Sequence, residues 1–455
     1  MNPQSELARE VRRLAGPAIL HSLLQTLVFV VDRVMLGRHG DASLAAMQIG
    51  GSIEWSLWSV FAAFEVGTIS RVGRHVGAGD RAGARRAVWL SLGVAVTMGT
   101  VVSLATPLVL WWLPTLAHGV SADALHEARG YLGVTIAATP FVFVAATSTA
   151  TLQAGGDTKT PLAIGIVANL VHIALNRVLI LGFGAIPALG ARGAGVSTAV
   201  TFAIEAALAT LALSQRVRPV SLRGEAFGDR AEIVKEIRAL VRIGGPAFLE
   251  RVLYHCGFMV YAFTVTRLGD AAMAANQSLI SVESICFLSG DGFGVASAAL
   301  VAQKVGAAKP LEARKAASIA ARYAVVTLTL FGLVSLGLRD LILPIFSGDP
   351  VVVAIGRATL PVLTIAQPFM AIGIVLSQSL RGAGRTKSAL AVSFTGAVFV
   401  RLFATWFFTF FLGLGLVGVW LGSTTDWFVR AIVLVLLFRR PLGVSDTESP
   451  PAVPA

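Results

Sequence analysis

Gly40-Asp41-x-x-Leu44-Ala45-Ala46-x-Gln48 returns 229 positions later as Gly269-Asp270-x-x-x-Ala274-Ala275-x-Gln277, and that return decides the architecture of the chain. Outward from it the register holds without a gap. Gly16-Pro17 recurs as Gly245-Pro246 and Glu54 as Glu283. Val76-Gly77-Ala78 with Ala84-Arg85 and Ala87 recurs as Val305-Gly306-Ala307 with Ala313-Arg314 and Ala316. At offset 228, Thr151-Leu152-Gln153-Ala154-Gly155-Gly156-Asp157-Thr158-Lys159 matches Ser379-Leu380-Arg381-Gly382-Ala383-Gly384-Arg385-Thr386-Lys387, and Pro140-Phe141 matches Pro368-Phe369. Chance does not preserve one offset from Arg13 to Ala87, so the chain is a duplication.

Both copies consist mostly of apolar segments. Hydrophobic residues make up 55% of the 455, charged residues 14%, and the mean hydropathy is +0.76, values that a water-solvated surface does not allow. A helix needs about 20 apolar residues to cross a bilayer. Twelve segments qualify, near 14–36, 44–70, 87–113, 131–153, 161–184, 193–214, 240–267, 273–300, 316–338, 357–380, 388–411 and 414–438. The expected fold is an all-α polytopic membrane protein, with two six-helix lobes related by a pseudo-two-fold axis along the membrane normal. Six is even, so both copies enter from the same side, and such repeats are the usual sign of a secondary transporter. The expected division is 1–214, a cytoplasmic linker 215–239 with a short surface helix, 240–440, and a disordered cytoplasmic tail 441–455.

The net charge of +12 raises the question of nucleic acid, and its distribution answers it. Of 37 Lys and Arg, 26 lie on one set of alternate loops, including Arg71, Arg74, Arg81, Arg85 and Arg86, the linker, Lys304 to Arg322, and Arg439-Arg440. The positive-inside rule then places both termini and the linker in the cytoplasm. The charge orients the chain and implies no nucleic-acid partner. The first apolar run is a full span, so it is expected to stay attached rather than be cleaved. Cys256 and Cys286 both fall inside spans and are expected as free thiols.

Charges inside spans cost about 2.5–3.5 kcal/mol each on insertion scales, which makes each a functional suspect. Asp32 and Arg33 are neighbours about 100° apart on a helix, so only one of them faces inward. His172 and Asn176 share a face of the fifth span. Asp32, Asn176 and Thr198 reach similar depth from three helices, a cluster able to bind a cation, Na+ at Asp32 included. Glu54 and Glu65 lie on one stripe about three turns apart. Glu54 and its repeat partner Glu283 either line a central cavity, with Gln48, Gln277 and Asp291, or brace their halves. Asp291 falls in the Gly-rich Ser289-Gly290-Asp291-Gly292-Phe293-Gly294, expected to be irregular. Asp426 and Arg430, four apart, are expected to form an ion pair. Pro140 and Pro368 are expected to bend their helices. Glu250-Arg251, Arg177, Glu205 and Arg401 have no partner legible in the sequence.

These features together resemble the multidrug and toxic compound extrusion family over nearly the whole chain. The matching residues are Pro17, Asp32, Gly37 and Gly40-Asp41-x-x-Leu44-Ala45-Ala46, then Ala274-Ala275-Asn276-Gln277, Val282-Glu283-Ser284, Gly292-Phe293-Gly294-Val295-Ala296 and Gln303-x-x-Gly306-Ala307. The resemblance implies an antiporter of the bacterial inner membrane, not an enzyme, that exports small organic cations against protons or sodium by alternating access. It implies no cofactor beyond the coupling ion, no metal, and a monomer. Asp32 matches the acidic residue of the first helix used for cation coupling. Asn176 stands where many relatives have Asp, His172 where they often have Asn, and Tyr254 where the sodium-coupled branch has Glu, with Glu250 one turn earlier. These departures favour protons. A lipid-linked oligosaccharide flippase of the same superfamily is the alternative, disfavoured because the cavity charges are carboxylates. An intramembrane enzyme would need a motif such as HExxH or GxSxG, and neither is present.

Overall fold

The computed structural model describes residues 3–116, 121–215, 220–224 and 228–439; the side chains at 3, 4, 26, 29, 41, 48 and 116 lie outside that description, as does the 441–455 tail. Among the described residues the chain is helical, with one isolated two-residue bridge, Phe183 with Ile186, in a loop. The helices are α1 (Pro3–His39), α2 (Asp41–Gly77), α3 (Arg81–Leu104), α4 (Thr106–Leu116), α5 (Ala122–Ala137), α6 (Thr139–Ala154), α7 (Lys159–Leu179) and α8 (Gly190–Leu213). They continue as α9 (Arg230–Thr266), α10 (Asp270–Gly306), α11 (Pro310–Gly337), α12 (Arg339–Phe346), α13 (Pro350–Gly382), α14 (Thr386–Phe394), α15 (Arg401–Trp406) and α16 (Gly415–Phe438). Two π-helical turns, Thr395–Val400 and Phe407–Phe411, flank α15.

All twelve expected spans fall on these helices. Among the described residues nine are long and apolar enough to cross a bilayer unaided, and α5 with α6 makes a tenth, bent by 51°. The remaining two are α2 and α9, whose apolar runs are diluted by Glu54, Glu65, Glu250 and Arg251. The bend follows from Pro140 at the start of α6, which has no N–H to continue the α5 ladder. The Thr139 hydroxyl has the carbonyls of Ile136 in α5 (2.8 Å) and Gly99 in α3 (2.9 Å) within reach of its one hydrogen. Pro368, by contrast, sits inside the continuous α13.

The contacts divide the chain into two compact units, 23–241 and 1–22 with 242–455, so both boundaries fall inside long helices, α1 and α9. In the second unit, α11 buries Ala313, Ala316, Ala317, Ala320 and Ala324, one face at helical spacing. Small residues let helix backbones approach closely where lipid offers no hydrophobic drive for association. The same principle corrects one expectation. The Ser289 to Gly294 stretch is not irregular but part of the continuous α10. Its glycines serve packing: a Cβ on Gly292 would lie 2.6 Å from the Ile19 backbone, and one on Gly290 3.1 Å from Ile374.

Within the 23–241 unit, Glu127 of α5 accepts a hydrogen bond from the Ala191 N–H (2.6 Å) at the start of α8. A carboxylate there satisfies one orphan donor and complements the helix dipole. The contact fixes which face α8 turns inward.

Candidate functional site

Six helices reach one cavity inside the 23–241 unit. Gln25, Val28 and Asp32 come from α1; Glu54, Trp55 and Trp58 from α2; Tyr131, Thr135 and Thr139 from the α5–α6 bend; Asn169 and His172 from α7; Thr198, Thr201 and Glu205 from α8. On α1, α7 and α8 the spacings are three, four or seven, the same-face intervals of an α-helix, whereas α2 adds the adjacent pair Glu54 and Trp55. The cavity measures about 90 Å³. That is room for several waters, against the roughly 300 Å³ and more of ordinary drug-sized pockets. Cargo therefore requires the walls to part.

Asp32 is 2% exposed while its neighbour Arg33 is exposed, as adjacent helix positions require. One Asp32 carboxylate oxygen, Oδ1, meets His172 Nε2 at 2.7 Å and accepts from Asn176 Nδ2 at 2.5 Å. The two nitrogens stand 2.9 Å apart because both converge on that oxygen. The far ring nitrogen of His172, Nδ1, is 3.1 Å from the Thr201 hydroxyl, which also reaches the Ser197 carbonyl at 2.7 Å. His172, Asn176 and Ser197 are 1% exposed or less, so the network is dry on the protein side. Glu54 accepts a short hydrogen bond from the Tyr131 hydroxyl. A Cβ on Gly50 would lie 2.7 Å from the Tyr131 ring, so the glycine leaves that ring room to reach the acid.

Of the residues expected from the sequence, the structure brings Asp32, His172 and Asn176 into direct contact and sets Thr198 and Glu54 on the same cavity. Others stand elsewhere. Asp291, Glu283 and Gln277 belong to the second unit. There Asp291 accepts from Gln378 Nε2 at 3.0 Å, Glu283 is half-buried and Gln277 is exposed. The Gln48 side chain lies outside the described residues. Thr201 and Tyr131 were not singled out in the sequence, and Glu205 was noted only as an in-span charge without a partner. A signal existed for two of them: Thr201 and Glu205 follow Thr198 at three and seven residues.

A second cavity of the same unit, about 120 Å³, takes in Glu65 with Phe61 and Phe64 and shares Trp58 and Phe143 with the first. Several other in-span charges are paired. Arg430 and Arg401 both hold Asp426, the latter at 2.9 Å, and Arg430 lies 4.3 Å from the centre of the Trp427 ring. The expected pair is therefore a triad that also accounts for Arg401. Arg381 holds Glu250 at 2.5 Å, and Arg177 Nη1 donates to the Gly182 carbonyl at 3.2 Å. Cys256 is exposed and Cys286 buried, and both are free.

The MatE family model matches residues 17–178 and 246–416, once in each repeat. The chain belongs to that family. It is 25% identical to a probable multidrug resistance protein NorM of Thermotoga maritima, over 95% of this chain and 92% of that one. It is 29% identical to a NorM of Bradyrhizobium diazoefficiens, over 96% and 95%. It is 28% identical to the multidrug resistance protein PmpM of Pseudomonas aeruginosa, over 92% and 85%. A solved outward-facing multidrug resistance MATE family transporter of the MOP superfamily superposes with a TM-score of 0.87 at 20% identity, covering 95% of each chain. MatE membership makes the chain a polytopic membrane transporter of twelve spans, not an enzyme.

Proposed function

We propose that this MatE protein exports small organic cations across the bacterial inner membrane in exchange for protons, through the cavity of the 23–241 unit. One observation carries the reading: Asp32, Glu54 and Glu205 share a small cavity walled by Trp55, Trp58 and Phe143, and its described lining holds no Lys or Arg. Aromatic faces and carboxylates are the chemistry that takes a delocalised cation from water, each aromatic contact being worth about 0.5–2 kcal/mol. A carboxylate in low dielectric cannot stay alone. It must hold a proton, a metal ion or the cargo, and competition for the same charge yields exchange. Protons are favoured over sodium because Asp32 Oδ1 is capped by two nitrogens, which a bare cation would have to displace. The names of the relatives support multidrug cargo. The basic loops support cytoplasmic termini.

The test is ethidium efflux in everted vesicles with proton and sodium gradients imposed separately. The proton gradient should drive export and Asp32→Asn should abolish most of it, by tenfold or more for about 1.4 kcal/mol of lost coupling. Wild-type export by Asp32→Asn, or export driven only by sodium, refutes the assignment.

A further inference from the structure

We propose that the coupling proton is carried on Nδ1 of His172, with the Thr201 hydroxyl as the rotor that accommodates it. This deepens the proton-coupled reading of the same site, on which its transport consequence rests. The Thr201 hydroxyl has one hydrogen and two acceptors in reach: His172 Nδ1 at 3.1 Å and the Ser197 carbonyl at 2.7 Å. The Thr201 end of the network is therefore satisfied in two protonation states with every heavy atom in place, while Asn176 Oδ1 is buried with no partner in either. In the first, the neutral ring donates from Nε2 to Asp32, and the Thr201 hydroxyl donates to Nδ1. In the second, Nδ1 carries a hydrogen and donates it to Thr201, whose own hydrogen turns to the Ser197 carbonyl. Uptake forms one N–H bond and breaks one O–H bond of a hydronium in the cavity, with no change of oxidation state. The pair passes from one net negative charge to none.

That change of charge is what exchange requires. With the ring neutral, Asp32 offers its charge to an organic cation; with the ring protonated, the charge is spent internally and the cation has no partner. Two nitrogens already converge on Asp32 Oδ1, whereas the Thr201 hydroxyl beside His172 Nδ1 can turn to accept a new hydrogen. Of the charged groups around the ring, Asp32 from α1 touches it, and Glu54 from α2 and Glu205 from α8 share its cavity. Tyr131 from α5 is occupied by Glu54, and the remaining neighbours, Asn169, Asn176 and Thr198, are uncharged.

The experiment is nitrogen NMR of ring-labelled histidine in the full chain in nanodiscs, with His172→Gln to assign the signal. Between about pH 5 and pH 9, where a histidine ring titrates, Nε2 of His172 should stay protonated and Nδ1 should gain the hydrogen as pH falls. Thr201→Val keeps the shape and removes the acceptor. It should move the midpoint to lower pH by roughly half a unit to one unit, since a charge-assisted hydrogen bond is about twice as strong as a neutral one. Thr201→Ser should restore it. A ring that gains its proton at Nε2, a ring that does not titrate, or a midpoint unmoved in Thr201→Val each overturns the proposal. These signals are read without transport. Wild-type efflux by Asp32→Asn would sink the assignment of coupling to Asp32 and leave the protonation of Nδ1 standing, whereas titration at Nε2 would sink this proposal alone.

Discussion

Replacing Glu236 by Gln should loosen the start of α9 from the rest of the 23–241 unit. Glu236 is 4% exposed and accepts from Arg71 Nε at 2.8 Å and Nη2 at 2.6 Å, a bidentate contact, with His75 Nε2 at 3.3 Å. Burial by itself would raise the Glu236 carboxyl, but the Arg71 guanidinium and His75 outweigh it and hold the group down to about 2 from 4.5. That depression corresponds to roughly 3 kcal/mol, within the ~3–5 kcal/mol lost when one partner of a buried ion pair is removed. Hydrogen exchange of the first turns of α9 should therefore accelerate about a hundredfold in Glu236→Gln at neutral pH.

The pH dependence has two arms of opposite sign. Glu236 contributes above its unfolded value near 4.5 and loses that contribution only as pH falls toward about 2. Burial lowers His75, but hydrogen bonds to Asp80 and Glu236 raise it further, so its net shift is upward. Its contribution is complete below the ordinary 6.5 and is lost as pH rises through the raised value. Protection of α9 should peak between about pH 4.5 and 6.5 and weaken on the alkaline side, and His75→Gln should flatten that alkaline arm. Exchange in Glu236→Gln within fivefold of wild type (about 1 kcal/mol) would show that the contact does not hold the helix down.

Two further substitutions probe the in-span charges. Tyr131→Phe removes the donor to Glu54, and Gly50→Val drives the Tyr131 ring away from it. Both should alter ethidium affinity in the same direction and by a similar factor, about tenfold for one hydrogen bond to a charged group, measured by equilibrium binding. Asp426→Asn leaves Arg401 and Arg430, with side chains 13% and 7% exposed, sharing one neutral amide. It should destabilise the second unit by about 3 kcal/mol or more, seen as an earlier melting transition in detergent. The triple replacement with Asp426→Leu, Arg401→Met and Arg430→Met should recover most of that loss.

Span number, duplication and the acidic suspects were legible in the sequence because they depend on local quantities: apolar run length, a conserved offset, and the cost of a charge in hydrocarbon. Asp32 with His172 and Asn176 was legible for the same reason, since depth along a span follows from residue count. Glycine misled at Ser289 to Gly294, where its conformational freedom suggested an irregular turn. The space it leaves is used instead for helix packing against Ile19 and Ile374. Arg401 and Glu250 had no legible partners, because theirs come from other helices, 25 and 131 residues away.

The sequence by itself determined how many times the chain crosses the membrane, that it does so in two matching sets, and that the basic residues gather on one set of alternate loops. Only the tertiary structure decided that Asp32, Glu54 and Glu205 meet at one cavity, that Asp291 and Gln277 stand apart from it, and that Thr201 sits behind His172. Periodicity fixes the face a residue occupies on its own helix. Which faces meet is set by how helices rotate and approach, and that depends on small residues and caps, such as Glu127 at the start of α8, acting between distant segments.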